Sequence, residues 1–258
     1  MLAILSPAKK LDFGPDRPPV RTTKPQMLAD TGELMDVTRA LSSVDLQELM
    51  GLSKSLAELN HGRFQAFDTE RDRPSESRPA ALAFRGDTYV GLQADSFDRD
   101  DLKFAQEHLR ILSGLYGLLL PLDRIQPYRL EMGSKVATGR GKNLYEFWGE
   151  GIARAINRQA KRSGARAIVN LASKEYFTAA HPPLLEAQVI TPAFKELRDG
   201  KPKMISFSAK RARGMMARHI IKHRLTDPTD MQSFADEGYR FNKKMSTDTD
   251  WIFLRKPR

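Results

Sequence analysis

Four short phrases place polar and charged residues directly after apolar runs: Ser6 and Lys9 after Met1–Leu5, Gly86 and Asp87 after Ala81–Phe84, Tyr128, Arg129 and Glu131 after Pro127, and Asn170, Ser173, Glu175 and Tyr176 at the end of Ala167–Leu171. In an α/β sheet, polar residues at the carboxyl ends of strands line a shared crevice, where ligands bind. If these phrases meet, Glu175 or Glu131 can serve as acid or base while Lys9 or Arg129 holds an anion. The competing reading is a polar network that only pins loops. Residue types alone leave the two level.

A second constellation is cationic. From Arg198 to Arg224 there are nine Lys or Arg and one acid, Asp199, a local charge of +8 out of +10 for the whole chain. The rest of the protein is therefore nearly neutral, and such concentration is a footprint of phosphate binding rather than of diffuse basicity. At 3.6 residues per turn Arg211, Arg218 and Lys222 share one face of a helix, with Lys210 and Arg213 beside them, while Met216 and Ile220 point to the core. The alternative is a solvated helix face, with few acids nearby in sequence to neutralise it.

A third phrase, Leu49-Met-Gly51-Leu-Ser53-Lys54-Ser-Leu-Ala57, resembles the helix-hairpin-helix motif, in which a tight turn presents unpaired backbone N–H groups to a phosphate. Ser53 stands where that motif has its second glycine. Serine caps a helix well but resists positive φ, so an ordinary αα-turn competes with the phosphate-binding reading.

Several chemistries lack their residues. The chain has no cysteine, which removes disulfides, thiolate catalysis, Fe–S clusters and thiolate zinc sites, and fits a reducing compartment. His219 and His223 have a ligand spacing, but Arg218, Lys222 and Arg224 around them would repel a cation. Glu58-x-x-His61 occurs once, without the second copy that a di-iron bundle needs. No Walker loop, Gly-x-Gly-x-x-Gly or Gly-x-Ser-x-Gly is present, so neither metal nor cofactor is expected.

The elements that must position these residues follow from periodicity. Met1–Leu5 reads as a first strand, too short for a signal-peptide core, and no apolar run approaches the about 20 residues of a membrane span. The expectation is a cytoplasmic protein without a membrane partner. Residues 25–67 have helical spacing in three or four short pieces. A loop covers 71–79, a strand Ala81–Phe84, a helix about 100–109, and one helix about 144–162. Strands near 187–197 and 203–207 flank Asp199-Gly200, a hairpin signal, before the basic helix from about Lys210 to Arg224. Strands and helices alternate, which implies an α/β or α+β fold. At 258 residues, one large domain and two small ones are equally reasonable.

Eight ordered phrases together resemble the YaaA peroxide-stress family: Leu5-Ser-Pro-Ala-Lys9, Phe84-x-Gly-Asp87-x-Tyr-x-Gly-Leu92, Leu109-Arg-x-Leu-Ser-Gly-Leu-Tyr-Gly117, Pro121-Leu-Asp123, Pro127-Tyr-Arg-Leu-Glu-Met-Gly133, Tyr145-x-Phe-Trp-Gly149, Asn170-Leu-Ala-Ser-x-Glu-Tyr-Phe177 and Lys210-x-Ala-Arg-Gly-x-Met-x-Arg218. Lys10 stands where the family has threonine, adding charge beside Lys9. The resemblance implies a bacterial cytoplasmic protein that limits peroxide damage by lowering unincorporated iron. It also implies a single-piece α/β "cantaloupe" fold over 1–258, a mixed sheet with surrounding helices and a helix-hairpin-helix-like subregion at about 25–67. A basic cleft in that fold would bind duplex DNA with little sequence preference.

The expected partner is thus double-stranded DNA or another nucleic acid, bound by a monomer. Gly51, Ser53, Lys54, Lys210, Arg211, Arg213, Arg218 and Lys222 are the candidate contacts. The rival expectation is an enzyme acting on a nucleotide, a nucleic-acid end or a base. Its pocket would hold Ser6, Lys9, Asp87, Arg129, Glu131, Asn170, Ser173, Glu175 and Tyr176.

Overall fold

The computed structural model describes residues 1–14, 21–68 and 76–256; the expected loop at 71–79 therefore lies partly outside the described residues. Its centre is a mixed sheet of β1 (Leu2–Leu5), β2 (Leu109–Ser113), β3 (Gly117–Leu119), β4 (Ala167–Leu171), β5 (Gln188–Arg198), β6 (Lys201–Lys203), β7 (Arg240–Phe241) and β8 (Asp250–Arg255). The spatial order is β7-β8-β5-β4-β1-β2-β3, with β6 added to β5. The five inner strands run parallel, and β3, β6 and β7 pair antiparallel to their neighbours. Every residue of β1, β2 and β4 is buried, as expected of parallel strands covered on both faces. In β5, by contrast, Ile190, Pro192, Phe194 and Glu196 alternate inward, so a carboxylate occupies a core-facing position.

Around the sheet lie α1 (Leu28–Ala40), α2 (Ser43–Met50), α3 (Lys54–Ala66), α4 (Asp87–Leu92), α5 (Arg99–His108), α6 (Leu144–Trp148), α7 (Gly151–Ser163), α8 (Lys174–Thr178) and α9 (Ser206–Lys222). The mixed α/β architecture matches the expectation, with three local differences. Ala80–Ala83 is a buried helical turn, and only Phe84–Arg85 is extended, pairing with Lys10–Leu11. An alanine run has little preference for a strand once packing does not demand one. The helix expected over 144–162 is two helices, parted where Gly149 takes φ 46°. Apolar spacing does not register such a break, because both pieces bury the same kinds of residue. The basic helix starts at Ser206, ahead of the expected Lys210, and takes the end of the strand expected near 203–207, which is Lys201–Lys203 instead.

One packing contact fixes where the basic helix lies. α9 crosses α4 so closely that a Cβ on Gly214 would sit 1.7 Å from the Thr88 carbonyl oxygen, and a Cβ on Gly91 would sit 2.1 Å from that of Arg211. Each helix meets the other's backbone through a glycine, and neither glycine has a positive φ. Their role is space, not conformation.

A Gly214→Ala substitution forces two backbones apart and is expected to destabilise the protein by about 3 kcal/mol or more. Gly62, exposed within α3, is the control, because a Cβ there would meet nothing within 4 Å. At that position alanine is expected to stabilise by up to about 1 kcal/mol. Urea unfolding of both variants checks the contrast, and equal stabilities would refute the steric account.

Candidate functional site

The carboxyl ends of β1 and β4 are level, since Leu5 lies beside Leu171 in the parallel register. Both chains turn out of the sheet here. Ser173 N donates to Ser6 Oγ at 2.9 Å, and Ser6 Oγ donates to Ser173 Oγ at 3.3 Å, which ties the two turns together. Ser173 also caps α8 by accepting from Tyr176 N. Tyr89 Oη, on α4, donates to the Ser6 carbonyl at 3.0 Å.

These turns enclose a crevice of about 380 Å³, lined among others by Ser6, Lys9, Asp87, Glu131, Ser173, Glu175 and Tyr176. Seven of the nine pocket residues expected from sequence are therefore brought together. The other two stand behind the wall. Asn170 is buried and its Oδ1 accepts from Ala172 N at 3.0 Å, so it shapes the turn after β4. Arg129 donates to Glu131 Oε1 at 3.0 Å and does not line the crevice.

The crevice also contains Lys10, Arg85, Lys210 and Arg213, which bring the cations to five against three carboxylates. Lys9 is paired with Glu131 at 2.9 Å, and Arg85 with Asp12 at 3.0 Å. Lys10, Lys210 and Arg213 have no ion-pair partner among the described residues, and burial draws the Arg213 pKa down. The charge of the basic segment thus reaches the strand ends through one turn of α9, held there by the Gly91–Gly214 crossing.

The carboxylates differ in availability. Glu131 faces both Lys9 and Arg129 through one oxygen, whereas Glu175 accepts from Gly133 N at 3.0 Å through Oε1 only. Glu175 Oε2 has no hydrogen-bond partner among the described residues. Burial pushes the Tyr176 phenol well above its ordinary pKa, so it stays protonated near neutrality and cannot act as a base.

The remaining cations of α9 turn elsewhere. Arg211 pairs with Glu237 at 2.8 Å, Arg218 donates to Ser96, and Lys222 binds Asp101, which Arg224 also reaches at 2.7 Å. Arg211, Arg218 and Lys222 are accordingly not a free stripe. Their partners are more than 20 positions away in sequence, which local charge counting cannot detect. His219 and His223 lie with ring centroids 4.5 Å apart, and His219 packs edge-on to Phe234.

The α2–α3 turn has Gly51 in the left-handed region at φ 59°, Leu52 buried, and Ser53 as N-cap accepting from Leu56 N. The Ser53 and Lys54 amides have no backbone or side-chain acceptor among the described residues. Any N-capped helix leaves its first amides open, so this geometry fits both an ordinary αα-turn and a phosphate-binding hairpin.

Sequence reasoning missed Arg85 and Lys10 as site residues. Arg85 was within reach, as the variable position of the Phe84-x-Gly-Asp87 phrase.

The family model described as peroxide stress protein YaaA matches residues 1–245. A UPF0246 protein of Saccharophagus degradans is 52% identical over 256 residues, covering 99% of this chain and all of the relative. Others from Teredinibacter turnerae and Ruegeria pomeroyi are 47% and 50% identical, each spanning 99% of this chain and 100% and 98% of their own length.

The ion cluster that absorbs the outer cations makes a pH prediction. Glu196 is buried, which opposes its ionisation, yet Arg255 at 2.6 Å and Arg198 at 2.7 Å outweigh burial and bring its pKa down to about 2. A depressed carboxyl pKa stabilises the fold above the unfolded value near 4.3, and that stability is lost as pH falls towards 2. Glu196→Gln is expected to cost up to about 3 kcal/mol at pH 7, the linkage equivalent of that shift, with Arg255 keeping Glu237 and half-exposed Arg198 reaching water. The difference from wild type should shrink between about pH 4.5 and 2. Urea midpoints across that range check it, and a pH-independent difference would exclude the ion cluster as cause.

Proposed function

Because the chain belongs to the peroxide stress protein YaaA family, we propose that it acts in the response to hydrogen peroxide by binding DNA through phosphates at the strand-end crevice, with little sequence preference. The observation that carries this reading is the convergence of Lys9, Lys10, Arg85, Lys210 and Arg213, from three separate stretches of chain, on one crevice. Three of these cations lack an ion-pair partner among the described residues. Half-buried guanidinium groups beside long-stemmed lysines suit phosphate oxygens, which carry no sequence information. The Gly51–Lys54 turn would add one phosphate contact through its open amides. The fall in unincorporated iron that the family resemblance implies is, in this reading, a separate activity.

A second reading is supported by Glu175, whose Oε2 is open beside these cations. An acid or base next to an anion-holding wall fits an enzyme acting on a nucleotide or a nucleic-acid end. The two readings separate on Glu175→Gln, which should leave duplex binding intact and abolish any turnover.

A salt titration with unrelated duplexes tests the main reading. Affinity should fall steeply with salt and alike for scrambled sequences. Lys210→Ala with Arg213→Gln should weaken binding at least tenfold and lower the salt slope by about two, one for each lost phosphate contact. Lys54→Ala should lower it by about one or less. Arg211→Ala with Arg218→Ala should do less than the crevice pair. Undiminished affinity in the Lys210/Arg213 variant, or strong sequence selectivity, would overturn the assignment.

A further inference from the structure

At the other end of the central strands lies a second cavity that the crevice does not reach. It has a volume of about 740 Å³ and is lined by Thr23, Lys24, Gln106, Arg110, Asp123 and Arg162, among others. Arg110 is the second residue of β2, beside Ile4 of β1, so its backbone belongs to the sheet core. It is one of the largest fully buried side chains of the protein.

Its guanidinium is only half engaged. Nη1 donates to the Gln106 carbonyl at 2.8 Å and to that of Leu109. Nε and Nη2 donate to no acceptor among the described residues, and neither is sealed in the core without a partner. They are the donors left without a protein acceptor, on a residue that lines the cavity while only 2% exposed. No carboxylate of the described residues lies within ion-pair distance of it. Asp123 acts on it only at longer range, being itself occupied by Thr23 Oγ1 at 2.6 Å and Leu120 N at 2.8 Å.

Burying a cation without a direct counter-ion is costly, and a protein retains such an arrangement most readily where an anion completes it. The edge formed by Nε and Nη2 carries two parallel donors, matched to the two oxygens of a carboxylate. Lys24, Arg110 and Arg162 line the cavity together with Glu107 and Asp123. The end of α7 lies here too, and its carbonyls are already met: Ser163 Oγ donates to Gln159 O and Ala160 O, and Gly164 N donates to Lys161 O. The volume falls within the range of small-molecule sites.

We propose that this cavity binds a small carboxylate, held side-on by Arg110 with Arg162 at the rim. The site is independent of the phosphate-binding crevice. It sits at the amino ends of the parallel strands rather than their carboxyl ends, and it shares no lining residue with that crevice.

Thermal unfolding of the full chain at constant ionic strength tests it, with sodium acetate, sodium benzoate and inorganic phosphate as probes and chloride as control. A carboxylate should raise the midpoint above chloride, in a saturable way. Arg110→Met keeps the apolar stem, removes the stranded charge, and should weaken the carboxylate effect at least tenfold while leaving the ligand-free midpoint unchanged or higher. Arg162→Ala, at an exposed position, should weaken it several-fold with no loss of fold. It decides the matter if Arg110→Met fails to fold. No carboxylate-specific rise, a rise undiminished in both variants, or a larger rise with phosphate than with either carboxylate would each overturn the proposal.

Discussion

The tightest constraint in this molecule is the crossing of α9 over α4, where Gly214 meets the backbone at Thr88 and Gly91 meets that at Arg211. No pair of side-chain-bearing residues could occupy those positions without separating the helices. Two things follow from this single contact. The start of α4, with Asp87, is held beside the turn after β1, and the first turns of α9 carry Lys210 and Arg213 into the same space. A glycine-to-glycine approach is therefore what turns a basic stretch of sequence into one wall of a crevice.

The rest of the basic charge is managed by burial. Asp101 begins as an N-capping partner of α5, accepting from Asp98 N while its own N–H is held by Asp98, and it also receives Lys222 and Arg224. Glu196 occupies an inward position of β5 and binds Arg198 and Arg255, while Glu237 bridges Arg255 to Arg211. Each acid serves the fold and a cation at once. Burial of Asp101 and Glu196 raises the cost of losing a partner, so the cations they hold are committed to structure, while Lys10, Lys210 and Arg213 remain for a ligand.

The sheet separates two kinds of anion site by its polarity. Its carboxyl end offers several cations on separate segments and an open carboxylate, which suits an extended polyanion lying across an edge. Its amino end offers one immobile guanidinium with a free donor edge inside a cavity, which suits a compact ligand. Ser113 and Tyr128, joined at 2.6 Å, brace the segment that delivers Glu131 to the first of these. The same β2 strand that supplies Ser113 supplies Arg110 to the second, so one short strand supports both ends.

Much of this was present in residue order. The buried strands Leu2–Leu5 and Ala167–Leu171, the α2–α3 turn and the basic helix follow from periodicity and turn chemistry, because those signals depend on neighbours a few residues apart. The positions of Ser6 and Lys9 after Leu2–Leu5, and of Ser173, Glu175 and Tyr176 after Ala167–Leu171, were legible for the same reason: each follows an apolar run that had to be a buried strand. What sequence could not decide was which charges meet. Arg211 and Glu237 are 26 positions apart, Lys222 and Asp101 are 121, and local counting treats such cations as free. The exclusion of Asn170 and Arg129 from the crevice, the helical turn at Ala80–Ala83 and the half-engaged guanidinium of Arg110 likewise depend on contacts between distant segments. Electrostatic partners and close backbone approaches are set by the three-dimensional packing, and only that packing distinguishes a cation spent on the fold from one left to bind.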